Sequence, residues 1–176
     1  FFYVDTGAMY RAVAYFCIEK GIDMAKSADV VSAIKNIDLD CLYDNGVQKV
    51  ILFGEDITKK LRTPKVGDGA SKVGTIPEVR AFLVSLQQKI AEKYPVVMDG
   101  RDIGTVVLKN AKLKIYLTAS ADVRAKRRVF ELKSLGEDCD FSKIKEEIIL
   151  RDKRDKERKA DPLRQAADAV LIDSSD

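Results

Sequence analysis

Short apolar runs alternate with longer helical stretches along the chain. Four of these runs have the length and composition of strands: Phe1–Val4, Tyr94–Met98, Leu113–Leu117 and Ala169–Ile172. Strands that alternate with helices are typical of a parallel sheet flanked by helices. The pattern therefore predicts an α/β fold built on a parallel sheet.

Signals for helix starts lie between the predicted strands. We expect Thr6 to N-cap the first helix, and Ser27 to precede a second one. Two further helices are predicted at Thr63-Pro64 and at Pro77, because proline suits the first helical position, where its missing N–H is not needed.

One segment departs from this alternation. Residues 38–43 and 47–52 resemble two paired strands, and the sequence Asp44-Asn45-Gly46 separates them. Asn-Gly is a strong signal for a two-residue hairpin turn. The segment therefore predicts an antiparallel hairpin, and a hairpin within an α/β chain suggests an inserted subdomain.

Three of the four predicted strands are followed directly by an aspartate: Asp5, Asp99 and Asp173. The carboxyl ends of strands carry the ligand site in open α/β sheets. Phosphoryl-transfer enzymes place a magnesium-organising carboxylate at such a position, which makes Asp99 a candidate. An ordinary turn in which Asp99 and Asp102 act as caps is an equally good interpretation of this motif.

The other strand-end motif covers residues 5–11. Gly7 would allow a ligand to approach the backbone closely, and Arg11 lies one turn into the predicted helix. A simple capped helix would have the same sequence, so the motif alone leaves both interpretations open.

Composition limits the chemistry. The 176 residues, 46% hydrophobic and 34% charged, are enough for one domain with an embellishment, and no apolar run approaches the ~18 residues that span a bilayer. The absence of histidine excludes Ser-His-Asp triads and histidine-ligated metals. Three cysteines far apart in sequence indicate neither a zinc pair nor a disulfide framework, so we expect a reducing, cytoplasmic setting. The sequence opens inside a predicted strand and stops soon after another, and we expect it to be part of a slightly longer protein.

The positive charge is concentrated in one segment. The net charge is +3, and residues 151–159 contain six basic and three acidic side chains, which accounts for the whole excess. On a helix, Arg151, Arg154, Asp155 and Arg158 share a face about 100° wide. A solvated helix with i,i+4 ion pairs is one interpretation. The other is an anion site, because guanidinium groups bind phosphate in a bidentate manner.

A second basic cluster repeats this arrangement at Arg124, Arg127 and Arg128, soon after the third predicted strand. Taken alone, such a cluster is usually a solvated helix face.

Three motifs, in this order and spacing, resemble those of bacterial cytidylate kinases: D-T-G-A-M-Y-R (5–11), D-G-R-D-I-G-T-V-V (99–107) and R-D-K-R-D-K-E-R (151–158). The resemblance covers essentially the whole chain. It implies a nucleoside monophosphate kinase fold with a parallel-sheet core (1–31, 91–135 and 160–176), a monophosphate-binding insertion (32–90) and a lid (136–159). The implied reaction transfers the γ-phosphoryl group of Mg²⁺-bound ATP to CMP or dCMP. The resemblance also implies a monomer in the cytoplasm that acts on neither nucleic acid nor membranes.

The matching motifs imply a role for most of the site residues. Ser71, Arg80 and Asp102 are implied to recognise cytosine, and Arg151 and Asp155 to hold the sugar. Arg11 and Arg101 are implied to hold the acceptor phosphate, with Thr6 as a nearby hydroxyl, and Arg154 and Arg158 to act in catalysis from the lid. Asp99 at the strand end is a further catalytic candidate, and we expect Arg127 and Arg128 of the second basic cluster to contact ATP. The chemistry agrees, since a carboxylate can accept a hydrogen bond from the cytosine amino group, while Arg and Ser donate to ring acceptors. Adenine offers a different edge and would leave these buried partners unpaired.

One departure from the family pattern matters. The 176 residues contain no G-x-x-x-x-G-K-[ST] sequence, the loop that cradles ATP phosphates and supplies a magnesium ligand. We therefore expect the chain as written to be unable to turn over, and the full-length parent to be active. The alternatives are a nucleotide-binding relative without catalysis, a kinase specific for UMP and CMP or for AMP, and a nucleic-acid-binding protein using residues 151–159.

Overall fold

Strands and helices alternate through most of the chain. The computed structural model describes residues 1–44, 46–134 and 136–176. The strands are β1 (Phe2–Asp5), β2 (Leu39–Asp44), β3 (Val47–Leu52), β4 (Glu55–Asp56), β5 (Val96–Asp99), β6 (Ile115–Thr118) and β7 (Val170–Asp173). The helices are α1 (Thr6–Glu19), α2 (Ser27–Ile34), α3 (Pro64–Val73), α4 (Pro77–Lys93), α5 (Ala121–Ser134) and α6 (Phe141–Glu157). A short 3₁₀ helix covers Thr58–Lys60, and a π-helical turn covers Ile103–Val107.

The parallel strand pairing predicted from sequence is confirmed. β1 pairs with β5 and β6 pairs with β7, both in parallel. The bounds differ slightly from the prediction, because the ladder extends to the pair Asp5–Asp99 and Asp173 pairs with Thr118. The three aspartates are therefore the last residues of their strands instead of the residues that follow them.

The predicted hairpin is also confirmed. β2 and β3 pair antiparallel from Leu39–Leu52 to Asp44–Val47, and β4 extends this sheet by two residues. Asn45, on which the turn prediction depended, lies outside the described residues. The Gln48 side chain accepts a hydrogen bond from the Asp5 backbone N–H at 2.8 Å, which ties the small sheet to the end of β1.

Two helix starts differ from the prediction. Asp5, not Thr6, caps α1, because its side chain accepts a hydrogen bond from the Ala8 N–H and thereby satisfies one of the free donors of the first turn. Thr6 is instead the first helical residue, and it is buried. Ser27 is likewise the first residue of α2 and does not precede it.

The starts of α3 and α4 agree with the prediction. The Thr63 hydroxyl accepts a hydrogen bond from the Val66 N–H at 3.3 Å, and Pro64 is the first residue of α3. Pro77 is the first residue of α4.

The main core surrounds α1. Met9, Ala12 and Val13 of this helix are fully buried, as is Leu83 of α4. Close packing between α1 and α3 depends on a glycine: a Cβ on Gly69 would lie 3.0 Å from that of Ala14, tighter than ordinary contact.

A second, smaller core lies between α5 and α6. Its buried residues are Ala125 and Leu132 of α5 and Ile144 of α6. Arg124 and Asp152 join the same two helices through two hydrogen bonds. None of the described helices has the length and apolar character needed to cross a membrane.

Candidate functional site

Two carboxylates lie side by side where β1 and β5 end. Asp5 accepts a hydrogen bond from the Arg11 guanidinium at 2.5 Å, and Asp99 is its strand partner. Partial burial raises the pKa of Asp99, and the negative charge of Asp5 raises it further, although a hydrogen bond from Tyr3 and the charge of Arg101 oppose this. The strand ends therefore concentrate negative charge beside basic side chains.

The chain turns tightly after β5. The Thr6 hydroxyl donates to the Asp99 carbonyl oxygen at 2.6 Å, so its proton is used to hold this strand end. A Cβ on Gly100 would lie 2.5 Å from the Thr6 hydroxyl oxygen and 2.8 Å from the Ile103 side chain, which leaves room for glycine alone. This turn directs Arg101 towards α6.

Two guanidinium groups from separate elements meet near this turn, and the charge of a third, that of Arg11, acts on one of them. Arg101 donates to Asp155 at 2.9 Å, and Arg151 lies 4.0 Å from the same carboxylate. Burial lowers the pKa of Arg151, and so do the positive charges of Arg101 and Arg11. The structure therefore brings together Arg11, Arg101, Arg151 and Asp155 of the predicted set, with positive charge in excess.

A buried ion pair lies deeper in the site. Arg80 of α4, 2% exposed, donates to Asp102, and also to the Gly74 carbonyl oxygen at 3.3 Å. The Tyr10 ring lies 5.7 Å from the Arg80 guanidinium carbon, within cation–π range. Burial raises the pKa of Asp102 above its usual value, although the positive charges of Arg80 and Arg158 oppose the shift.

The end of α6 packs against this pair. Arg154 donates to the Ser71 hydroxyl oxygen of α3 at 2.7 Å. The Arg158 guanidinium lies 3.7 Å from Asp102 and 3.9 Å from Asp155. The predicted lid arginines therefore lie beside the predicted base-recognising residues.

Several polar atoms in this group have no hydrogen-bond partner. Among the described residues, the Tyr10 hydroxyl, Arg11 Nε and Arg158 Nη2 are buried without one. Buried polar groups are normally hydrogen-bonded, so these three atoms mark a strongly polar region around the predicted acceptor residues.

Two predicted residues lie elsewhere. Arg127 donates to the Ser174 backbone oxygen at 2.5 Å, and Arg128 to Glu131 at 2.6 Å, both on the exposed side of α5. The structure does not bring them to the acceptor group, and their contact with ATP stays a prediction.

Some residues beside the site are not among the predicted ones. Tyr10 and Asp161 both contact Arg80, the second from the loop after α6. Arg62 lines a cavity of about 330 Å³ that Asp5 and Arg11 also line, between β1 and the small sheet. Tyr10 lies within the motif 5–11 and could have been found there, whereas Arg62 and Asp161 could be found only from the fold.

Comparison with known proteins identifies the family. A family model described as cytidylate kinase matches residues 1–176. The cytidylate kinase of Caldicellulosiruptor bescii is 47% identical over 175 residues, 99% of this chain and 77% of the relative. Those of Lactiplantibacillus plantarum and Bacillus licheniformis are each 44% identical, over 99% of this chain and 77% and 78% of the relatives. With the geometry described above, these matches show that the chain belongs to the cytidylate kinase family, whose members are phosphotransferases.

Proposed function

We propose that these residues bind CMP or dCMP as the acceptor of the γ-phosphoryl group of ATP, which gives CDP or dCDP and ADP. The observation that carries the proposal is the position of Arg101 and Arg151 at one carboxylate, within the charge influence of Arg11, together with the buried Arg80–Asp102 pair. Arg11 and Arg101 match a phosphate dianion, Arg151 lies beside them for the sugar, and the buried pair offers both an acceptor and donors to a polar base.

Base recognition rests on the buried pair. Asp102 accepts from the 4-amino group of cytosine, while Arg80 and Ser71 donate to the ring acceptors. A guanidinium has five N–H donors, of which Arg80 uses three on Asp102, Asp161 and the Gly74 carbonyl, leaving two for a ligand. Uracil and adenine present other edges to these groups and would leave them unpaired.

The arginines supply positioning and charge neutralisation, which make up most of the catalysis of phosphoryl transfer. Arg11 and Arg101 hold the acceptor phosphate, and Arg151 with Asp155 holds the sugar. Arg154 and Arg158, at the end of the proposed lid, stabilise the negative charge of the group in transfer. No histidine is needed for these roles.

Magnesium fits the ends of β1 and β5. Mg²⁺ is commonly bound by one or two carboxylates together with substrate phosphates, where it neutralises their charge. Asp99 is exposed to solvent at the strand end, and the negative charge of Asp5, which adds to the effect of partial burial in raising its pKa, is charge that a cation would relieve. Asp5 is already occupied by Arg11 and Ala8, so Asp99 is the residue that would organise the ion. Among the described residues, no group of three or more acidic or cysteine side chains forms a metal cage of its own.

Binding of the ATP phosphates calls for a glycine-rich loop. No G-x-x-x-x-G-K-[ST] sequence occurs in the 176 residues, so we assign acceptor binding to them, and transfer to a chain that also carries such a loop. ADP formation by the 176-residue chain from CMP and ATP, above a control without protein, would contradict this division. The reading frame upstream of Phe1 shows whether the loop precedes these residues.

Calorimetric titration of the 176-residue chain tests the proposal. We expect CMP and dCMP to bind more tightly than UMP or AMP. Arg101→Ala should weaken CMP binding about tenfold or more, since charge-assisted hydrogen bonds are the strong ones. The same variant should leave cytidine, which has no phosphate, unaffected. Arg164→Ala, at an exposed arginine, is the matched control and should bind CMP normally. Preference for AMP would overturn the base assignment, and absence of binding by any nucleotide would overturn the proposal.

A further inference from the structure

Asp161 has an unusual backbone. It follows α6 by a few residues, with φ at +46°, and Pro162 comes next. Residues other than glycine rarely adopt this left-handed conformation, although Asp and Asn do so more readily than most. The conformation places the side chain and the carbonyl of a single residue against two different arginines.

Both of those arginines belong to the proposed acceptor site. Asp161 Oδ2 accepts from Arg80 Nε at 2.9 Å, and the Asp161 carbonyl oxygen accepts from Arg158 Nε at 2.8 Å. Arg80 is almost fully buried, whereas a third of the Asp161 side chain is exposed. Asp161 therefore joins the base-recognising arginine to an arginine at the end of α6.

The contact with Arg80 fixes the direction of its guanidinium. Asp102 and Asp161 accept from Nη2 and Nε respectively, so two carboxylates from different segments hold one planar group. Without Asp161, a buried Nε–H would lose its acceptor and the guanidinium could turn away from the base. A side chain that must be ordered at the moment of binding weakens affinity, and a misdirected donor weakens discrimination between bases.

We propose that Asp161 is a positioning residue for base recognition, which holds Arg80 towards cytosine and couples it to Arg158. This inference rests on the proposed function and extends its specificity site beyond Ser71, Arg80 and Asp102. Asp161 acts through Arg80 and touches no reacting atom.

Titration of CMP and UMP into the 176-residue chain tests this role. Asp161→Gly removes the carboxylate and suits the positive φ, while Asp161→Asn keeps an oxygen acceptor and also tolerates that φ. We expect Asp161→Gly to weaken CMP binding about tenfold and to lower the CMP-to-UMP preference by a similar factor. Asp161→Asn should recover most of both. Asp168→Asn breaks an ion pair with Lys114 near the same connecting segment and is the matched control, with binding unchanged.

The outcomes separate this inference from the function on which it rests. Unchanged CMP affinity and preference in Asp161→Gly would overturn the positioning role alone. Equal weakening of CMP and UMP would also overturn it, because a purely structural loss does not distinguish the bases. Failure of the unaltered chain to bind CMP would overturn the proposed function and, with it, this inference.

Discussion

The hydrogen bond from Thr6 to the end of β5 offers a direct test of how the site is held. Thr6 is 3% exposed, and its hydroxyl donates to the Asp99 carbonyl oxygen at 2.6 Å. Thr6→Val keeps the shape of the side chain and removes only the donor. The substitution therefore isolates one hydrogen bond between the start of α1 and the end of β5.

The expected cost follows from burial. Thr6 is buried and the bond is partly buried, and an acceptor that loses its donor where water cannot reach it costs about 1–3 kcal/mol. For a chain of this size, each kcal/mol lowers Tm by about 2–4 °C. Thr6→Val should therefore lower Tm by about 2–12 °C, with the larger values if the carbonyl stays dry.

Thermal unfolding followed by circular dichroism measures this cost, and Thr75→Val is the matched control. The Thr75 hydroxyl also donates to a backbone carbonyl, that of Lys72, at 2.8 Å, but Thr75 is exposed. Water can replace that bond, so the control should change the free energy of unfolding by less than about 0.5 kcal/mol. Equal losses in the two variants would refute the argument from burial, and an unchanged Tm in Thr6→Val would show that this bond does not hold the strand end.

Two further predictions concern the same region. Gly100→Ala should destabilise the chain by about 1–3 kcal/mol in a denaturant titration and weaken CMP binding, because the added Cβ would overlap Thr6 and Ile103. Gly67→Ala is the control, because its Cβ would meet nothing within 4 Å in the interior of α3, and it should stabilise the chain by about 0.5–1 kcal/mol. A larger loss of stability in Gly67→Ala than in Gly100→Ala would contradict this packing. Burial raises the pKa of Tyr10 from 10.0 to about 12. The unfolded chain therefore loses this proton at a lower pH than the folded chain does. As the pH rises from 10 to 12, ionisation of Tyr10 lowers the free energy of unfolding by about 3 kcal/mol in total. At pH 7, Tyr10→Phe should leave Tm nearly unchanged, since the hydroxyl has no hydrogen-bond partner among the described residues. At alkaline pH, the variant should lose less Tm than the unaltered chain. An equal alkaline loss of Tm in both would show that Tyr10 ionises at the same pH in the folded and unfolded chain.

Local sequence was enough to predict much of the fold. The strand runs, the hairpin and the starts of α3 and α4 depend on neighbouring residues, since apolar periodicity, an Asn-Gly turn and an N-terminal proline act over a few positions. The start of α1 was placed one residue late because Asp5 and Thr6 both have N-capping side chains. The structure decides between them, since the Thr6 hydroxyl is directed to Asp99, a residue 93 positions away.

The site was predictable in its residue types but not in its pairings. The motifs identified Arg80, Asp102 and Arg158 as functional candidates, because the family pattern preserves the chemistry that a nucleotide requires. Which carboxylate fixes which guanidinium is a different matter: Arg80 and Asp161 are 81 residues apart and meet only when α4 and the loop after α6 pack together. The longer strands, two helix starts and the kinds of charge at the strand ends could be predicted from local sequence, because these follow from short-range periodicity and backbone preference. The tertiary structure alone decided which charges are buried and paired, because desolvation and distance depend on packing between segments remote in the chain.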